Sequence, residues 1–476
     1  MGVVGRADEQ TFDGLTSWMD AWAKAREQGW ETILVDGRKD GLSTLMFHPA
    51  GGSHQELLLT PSDSFTIPLP QDSGLGEAIW SLSLAVEDLP WLGWDHPYRD
   101  RSVLGKGIFT YPLGPVRGDV SESVFYRLQV MGDDIVRLTV ENGFKRRHIR
   151  QLCRGRSWSD ALALVERMTT TSTVAHALAF SLAVEDAFGW SVAPQATWIR
   201  TLVAELERMA SHAGDLASLA ASTGLPVPQM EYLAVKELVL GVNFDLFGHR
   251  YLRGVIVPGG VRAPSQRLPQ SEEYAKAQRT LSSGFNQVQS VRQGLDRTPS
   301  FLDRLHGAGI IPAQTREFVR PVGPIGRSAG RPMDGRSAHP YLAYDQLEFH
   351  PPVLSEGDAF ARYVIKAEEL AQSFAMVLEI LKWPERLSAG TESEAMHSEV
   401  RVSERRTGRA WIEAPRGLMA YRVELAEDGK LNHLGIATPS QRNWYVVAPA
   451  VAHQNILQDF PIIDASFNLS VAGWDG

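Results

Sequence analysis

The chain has 476 residues, 43% of them hydrophobic and 22% charged, and a formal net charge of −9. This composition predicts a globular protein of two or three domains, and the acidic balance argues against nucleic acid as a partner. Cys153 is the single cysteine, which excludes an internal disulfide, a cysteine-rich zinc site and an iron–sulfur cluster held by this chain alone. No run reaches the roughly 18 apolar residues of a membrane span, and no signal peptide is evident, so a cytoplasmic location is expected.

Residues 1–105 are expected to form a small α/β domain. A helix is predicted over Phe12–Gln28, where apolar residues recur on one side, and a short apolar segment covers Glu77–Leu89. Glu31–Val35 and Leu42–Phe47 have the composition of two strands around a polar turn.

The next segment is predicted to be a β region followed by a basic cluster. Ile108–Tyr111 is a candidate strand, and Val124–Val130 with Ile135–Val140 should form a hairpin. The basic cluster, residues 145–156, either docks an acidic partner or lipid headgroups or is a solvated face, and the second is favoured. Its arginines would lower the pKa of the Cys153 thiol, although a structural role for this cysteine is the preferred interpretation.

The stretch Glu166–Gly189 combines a helical pattern with an unusual start. Hydroxyl residues fill the five positions from Thr169 to Thr173, and such side chains are poor in helix interiors. At helical spacing, Thr169, Ser172 or Thr173, His176 and Phe180 would share one face. That face is either a packed polar seam or the wall of a site.

The rest of the chain is predicted to be mostly helical, with strands near its end. The predicted helices are Pro194 to about Ser222, 228–246, 270–295 and Asp358–Lys382, and the predicted strands are Leu418–Leu425 and Trp444–Val447. Residues 321–340 are rich in proline and glycine and are expected to form an ordered loop or crossover. A G-x-S-x-G motif at Gly326–Gly330 lies in this loop rather than between a strand and a helix, so a hydrolase nucleophile is not expected.

Several separated motifs, in collinear order, resemble one known family. They are Thr110–Pro115, Arg167 through Glu185, Arg200 with Glu205, Arg208 and His212, Arg253 with Pro258–Val261, Gly326–Gly330, Asp358 with Arg362, Glu413–Gly417, Thr438–Ser440 and Asp459–Asp475. This pattern is similar to the large subunits of membrane-bound [NiFe]-hydrogenases and respiratory complex I, most of all the formate-hydrogenlyase type.

The resemblance implies an α+β fold in two domains. Residues 1–105 would be a fused domain like the small subunit that complex I places beside the large one. Residues 106–476 would be a hydrogenase-like large-subunit domain with a central helical bundle and peripheral β-hairpins.

The departures from the family pattern concern its metal site. The four nickel–iron cysteines of hydrogenases fall on Thr169, Ser172, Ser470 and Gly473, which cannot replace thiolates as soft anionic ligands. Arg416, which would border the metal's diatomic ligands, is retained. The resemblance therefore implies a large subunit without a metal centre, and an active [NiFe]-hydrogenase is not expected.

The quinone-site residues that complex I places in the vacated cavity are also changed. Its loop histidine corresponds to Arg117 and its helix tyrosine to Phe180. Phenylalanine cannot donate a proton to a quinone carbonyl, and arginine is a poor proton source. Arg117, His176, Phe180 and Arg416 are the candidate cavity residues, with Glu185 as a further polar group.

The sequence is compatible with two functions. The first is a peripheral-arm subunit of a membrane-bound oxidoreductase whose remodelled cavity serves quinone reduction or redox-coupled ion translocation. Iron–sulfur clusters would then lie in a partner small subunit, because this chain carries no cofactor of its own. The second is a redox-silent scaffold that docks antiporter-like membrane subunits. In both, the chain lies on the cytoplasmic side of the membrane as part of a complex.

Overall fold

The computed structural model describes residues 31–38, 41–47, 56–59, 103, 105–116, 122–262, 268–387, 407–452 and 454–474. Three strands come first, β1 (Glu31–Arg38), β2 (Gly41–Phe47) and β3 (Glu56–Leu59), in an antiparallel sheet of that order. The predicted hairpin of β1 and β2 is thus confirmed. The helix over Phe12–Gln28 and the segment Glu77–Leu89 lie outside the described residues.

A second antiparallel sheet contains β4 (Ile108–Leu113), β5 (Phe125–Met131) and β6 (Asp134–Glu141). The alternation of apolar residues along β5 buries one face against the body of the protein, as the predicted hairpin requires. Two short helices follow, α1 (Ile149–Cys153) and α2 (Trp158–Val165). Ser157 caps α2 by accepting a bond from the backbone N–H of Asp160.

The central stretch folds as the sequence pattern predicts, with an irregular start. Residues 170–172 form a single 3₁₀ turn, after which α3 (Thr173–Phe188) is almost entirely buried and ends at Gly189 in the left-handed conformation. The helix α4 (Pro194–Ser222) begins with proline at its first position, where the missing N–H costs nothing.

Four long helices pack together beside α3. They are α4, α5 (Pro226–Phe247), α6 (Ser271–Leu295) and α11 (Ala359–Leu381), which contact one another as a bundle. Between α5 and α6 lies the two-strand turn of β7 (Ile256–Val257) and β8 (Gly260–Val261). Among the described helices none is long and apolar enough to cross a membrane.

The segment between α6 and α11 contains four short helices. They are α7 (Pro299–Leu305), α8 (Ala313–Val319), α9 (Gly323–Ser328) and α10 (Gly335–Ala338). The Pro/Gly-rich segment 321–340 is therefore ordered and partly helical. The Ser328 hydroxyl is buried at the end of α9 and donates to the Ile325 carbonyl, which leaves it no role as an exposed nucleophile.

The last part of the chain supplies a third sheet and two helices. The strands β9 (Thr407–Ala414), β10 (Gly417–Leu425) and β11 (Leu431–Ala437) form an antiparallel meander, packed against α3. The helices α12 (Pro439–Val451) and α13 (Phe460–Phe467) follow. The predicted strand at Trp444–Val447 is wrong, because a capping box between Thr438 and Gln441 starts a helix that runs through it.

Candidate functional site

Thr169–Ser172, which the family resemblance aligns with the first pair of hydrogenase metal ligands and which is called the first former ligand segment below, leads directly into α3. No side chain caps this helix from its own N-terminus. Instead, Glu207 of α4 accepts from the backbone N–H groups of Val174 at 2.6 Å and Ala175 at 2.9 Å. Burial raises the pKa of Glu207 to about 8 in spite of these two bonds. A carboxyl group from another helix thus accepts hydrogen bonds from backbone N–H groups in the first turn of α3, which no side chain of the hydroxyl-rich segment caps.

Replacing Glu207 with alanine should destabilise the fold by about 1–2 kcal/mol, because two N–H groups at the start of α3 lose their acceptor. Urea unfolding followed by circular dichroism measures the change in the free energy of unfolding. The matched control is Glu348→Ala, since the Glu348 side chain is 93% exposed. Equal stability of the two variants would show that the carboxyl of Glu207 does not cap α3.

The second former ligand segment, Ser470–Gly473, is held by a carboxylate that precedes the second strand of the β4–β6 sheet. This residue, Glu122, accepts from the backbone N–H groups of Val471 and Ala472 and from the Ser470 hydroxyl at 3.1 Å. Its other oxygen pairs with Lys145 at 3.0 Å. Burial opposes ionisation of Glu122, but the Ala472 N–H and the Lys145 ammonium outweigh it, and the pKa is lowered.

The four former ligand positions do not fit a nickel–iron centre. Thr169, Ser172 and Ser470 offer neutral hydroxyls, and Gly473 has no side chain. The Ser470 hydroxyl is already used, since it donates to Glu122 and accepts from the Gly473 N–H at 3.1 Å. Nor do histidine, cysteine, aspartate and glutamate side chains cluster as metal ligands anywhere in the described part of the chain. No step of the function is therefore assigned to a metal in this chain.

A cavity of about 970 Å³ lies between the two former ligand segments and extends along α4. Its polar wall contains four carboxyl groups, from Glu122, Glu207, Asp215 and Asp464, as well as Arg416. Its apolar wall is built by Pro112, Leu113, Val124, Leu240, Trp444, Phe460, Leu469 and Val471. A cavity of this volume, lined by both polar and apolar side chains, is typical of a small-molecule site.

Arg416, a candidate residue from the sequence analysis, joins the first former ligand segment to Asn468, two residues before the second segment. Its guanidinium donates to the Thr171 hydroxyl at 2.8 Å, the Ser211 hydroxyl at 3.4 Å and the Asn468 carbonyl at 2.8 Å. It also pairs with Asp215 at 3.3 Å. The arginine retained from the family pattern is thus bound by the protein on several sides.

Asp215, at the cavity wall, is held between two cations. Besides Arg416, it pairs with the Lys366 ammonium of α11 at 3.0 Å. Burial opposes ionisation of Asp215, but the charges of Lys366 and Arg416 outweigh it and lower the pKa. Burial likewise lowers the pKa of Lys366, against the attraction of Asp215.

His176 and Phe180 lie in the core rather than at the cavity. His176 and the Tyr421 hydroxyl of β10 are 2.6 Å apart, and the Phe180 ring packs edge-on against Tyr421. Complete burial lowers the pKa of His176 to about 3, so the imidazole is neutral. Glu185 is buried against Arg200 and the Gly259 N–H, in a structural ion pair. Arg117 lies outside the described residues.

The expected lowering of the Cys153 pKa is wrong. The side chain is fully buried in the core beneath the basic cluster, and burial raises the pKa of the thiol to about 12 against the charge of Arg156. The thiol stays protonated, as the preferred structural interpretation of this residue requires.

Sequence reasoning missed Glu122, Glu207 and Asp215 at the cavity, and Lys366, which pairs with Asp215. Asp215 could have been found, because it lies one helical turn beyond His212 and continues the face of the E-x-x-R-x-x-x-H pattern. Glu122 and Lys366 carry no such local signal.

The chain is similar in sequence to known protein families. Residues 224–407 match the model "Respiratory-chain NADH dehydrogenase, 49 Kd subunit", and residues 147–221 match "Nickel-dependent hydrogenase". A carbon monoxide-induced hydrogenase of Rhodospirillum rubrum is 24% identical over 355 residues, which cover 75% of this chain and 96% of that protein. An NADH-quinone oxidoreductase subunit of Thermosipho melanesiensis is 30% identical over 270 residues, covering 57% and 72%.

A solved structure shows the same fold. It is a chain of the membrane-bound sulfane sulfur reductase, an archaeal respiratory membrane complex. The TM-score is 0.68 at 24% identity, and the match covers 79% of this chain and 100% of that one. Three findings indicate the same family. They are the α+β architecture of helices and small antiparallel sheets, the two adjacent family matches and the identity to the Thermosipho protein. The chain belongs to the family of complex I 49-kDa subunits and [NiFe]-hydrogenase large subunits.

Proposed function

We propose that this chain is the large subunit in the peripheral arm of a membrane-bound, complex I-like oxidoreductase, and that it works without a nickel–iron centre. Family membership supports the place in the complex. The hydroxyls and glycine at the former ligand positions support the loss of the metal. With a single buried thiol, the chain depends on a partner small subunit for iron–sulfur clusters, and on membrane subunits for attachment at the cytoplasmic face.

The observation that carries the redox function is the cavity between the two former ligand segments. A quinone head is a flat apolar ring with polar carbonyl ends, and the cavity combines an apolar wall with Arg416 and carboxyl groups. Reduction of a quinone to a quinol takes two electrons, from the partner's clusters, and two protons. Coupling of this reduction to ion translocation belongs to the same proposal.

Glu207 is the group best suited to supply one of these protons. Phe180 has no hydroxyl and lies away from the cavity, so the position of the complex I tyrosine supplies no proton there. Glu207 lines the cavity, and with a pKa of about 8 it is protonated at neutral pH. An acid with a pKa near the working pH is the most effective general acid.

The test is purification of the intact complex from membranes, followed by identification of its subunits and an assay for iron and acid-labile sulfide. We expect a cluster-carrying small subunit, membrane subunits and quinone reduction by an added low-potential donor. A complex with all of its membrane subunits but neither clusters nor quinone reduction would overturn the proposal.

That second outcome would support the alternative function, a redox-silent scaffold. The observation that supports it is that polar groups at the cavity wall already form hydrogen bonds and ion pairs with other residues of this chain. Ser470 bonds to Glu122, and Arg416 bonds to Asp215, Thr171 and Asn468. In this function the fold is kept because it docks antiporter-like membrane proteins that move an ion or solute without electron transfer.

A further inference from the structure

Behind the cavity, the helical bundle encloses a cluster of seven buried charged side chains. It is supplied by α4, α9, α11, β9 and the turn around α10. The members are the carboxylates Glu205, Asp334, Glu369 and Glu413 and the guanidinium groups Arg208, Arg327 and Arg336, each at most 2% exposed. Because water cannot screen or hydrate these groups, their charges must balance within the cluster.

Arg327 is the centre of the cluster. Its guanidinium contacts three carboxylates, Glu369 at 2.6 Å, Glu413 at 3.0 Å and Asp334 at 3.2 Å. It also donates to the Met333 carbonyl at 2.7 Å. One positive charge is thus shared among three negative ones.

The other two arginines hold Glu205 and the backbone of β9. Arg336 contacts Glu205 at 3.2 Å and Asp334 at 2.8 Å. Arg208 contacts Glu205 at 3.2 Å and donates to the carbonyls of Glu413 at 2.6 Å and Ala414 at 3.1 Å. Glu205 and Asp334 therefore each have close cationic partners, whereas the carboxyl group of Glu413 pairs with Arg327, which it shares with two other carboxylates.

With four carboxylates and three guanidinium groups, the fully ionised cluster carries one negative charge in excess. A proton bound in the cluster would neutralise this charge, and two groups are placed to hold it, Glu413 and His212. His212 contacts Glu369 at 3.1 Å, yet burial lowers the pKa of its imidazole against the attraction of that carboxylate. Burial, and next the neighbouring Asp334 charge, raise the pKa of Glu413 to about 7. Glu413 is the better proton carrier.

The other titratable groups that face Glu413 do not change their protonation state near neutral pH. Burial opposes ionisation of Glu205 and Asp334, but their arginine partners outweigh it and lower both pKa values to about 2. The pKa of Glu369 is lowered in the same way, mainly by Arg327. The phenols of Tyr341, which accepts from the Glu413 N–H, and of Tyr344 stay protonated, because burial raises their pKa.

We infer that Glu413 is a proton-binding site, which takes up and releases one proton while the rest of the cluster stays ionised, and that its occupancy responds to charge in the cavity. Two connections carry the response. Glu413 lies three residues before Arg416 at the end of β9, and His212 lies one helical turn from Asp215, which contacts Arg416. Negative charge arriving at Arg416 favours protonation of Glu413. Only the source of that charge, a reduced ligand, rests on the proposed function.

Infrared titration of the full chain labelled with ¹³C-glutamate tests this inference without any redox assay. The wild type should lose a carboxylic-acid C=O band with a midpoint near pH 7, and Glu413→Gln should lack that band. The band of Glu207, with a midpoint near pH 8, should persist in that variant as an internal reference. A band near pH 7 that survives Glu413→Gln, or a wild type that lacks such a band because His212 holds the proton, would overturn the assignment.

Two further variants test the charge balance and the link to the cavity, and serve if Glu413→Gln does not fold. Asp334→Asn removes the excess charge, so the midpoint should fall by roughly one pH unit or more. Arg416→Met removes a cation, so the midpoint should rise, whereas the exposed control Lys430→Met should leave it unchanged. An unmoved midpoint in Asp334→Asn contradicts the charge balance, and an unmoved midpoint in Arg416→Met contradicts the coupling to the cavity.

Discussion

Replacing Arg327 with methionine should lower the free energy of unfolding by roughly 3–5 kcal/mol, one of the largest effects expected of a single substitution in this chain. The side chain is fully buried and contacts three carboxylates. Methionine fills part of the space but leaves Glu369, Glu413 and Asp334 without their shared cation. Chemical denaturation of the full chain measures the loss.

The pH dependence of this variant has a definite sign. Without Arg327 the carboxyl groups have higher pKa values in the folded than in the unfolded state, so the folded state binds more protons. Stability must then fall as pH rises, and the deficit should be larger in mildly alkaline than in mildly acidic buffer. Adding Glu413→Gln should recover part of the loss, because it removes one of the unpaired carboxylates.

Arg250→Met is the matched control, since it also removes an arginine from an ion pair. Its partner is Glu237, and the two side chains are 42% and 64% exposed. Water screens such an exposed pair and it contributes little to stability, so this variant should be nearly as stable as the wild type. Equal losses in Arg327→Met and Arg250→Met would mean that the buried cluster is not held together by its charges.

The fold was predictable wherever a local signal marks a boundary. Pro194 and Gly224 bracket α4, Ser157 caps α2 and Gly189 ends α3, and in each case the backbone geometry is decided by residues within a few positions. The error at Trp444–Val447 has a physical cause. Two adjacent valines favour a strand, but the capping box and Pro439 commit the backbone to a helix before they are reached.

The cavity was predictable only in part, because its key contacts join distant positions. Ser470 and Arg416, which line it, were found through the family pattern. Glu122 could not be, since it reaches the backbone of the Ser470–Gly473 segment from more than 340 residues away and occupies no motif. Cys153 shows that a local signal can also mislead. The basic residues around it in the sequence suggest a reactive thiol with a low pKa, whereas burial raises the pKa of this thiol.

Arg416→Met is the substitution expected to change the function of the complex most. Arg416 joins the Thr171 side of the cavity to the Asn468 side through hydrogen bonds of 2.8 Å each. Methionine cannot make these bonds, and it leaves Asp215 with Lys366 as its cationic partner. The cavity wall then loses its order and one positive charge, so quinone-dependent turnover of the purified complex should fall roughly 10–100-fold.

The fall in turnover must be separated from a failure to assemble. Subunit content and iron should match the wild-type complex, because the ion pairs of Arg327 and the Asp215–Lys366 pair between α4 and α11 remain in place. Arg304→Met is the control, since Arg304 is exposed on α7, donates to the Thr223 carbonyl and does not line the cavity. If Arg416→Met turns over within about twofold of Arg304→Met, a difference of only about 0.4 kcal/mol in the barrier, Arg416 serves the fold alone. The electron acceptor would then have to bind elsewhere.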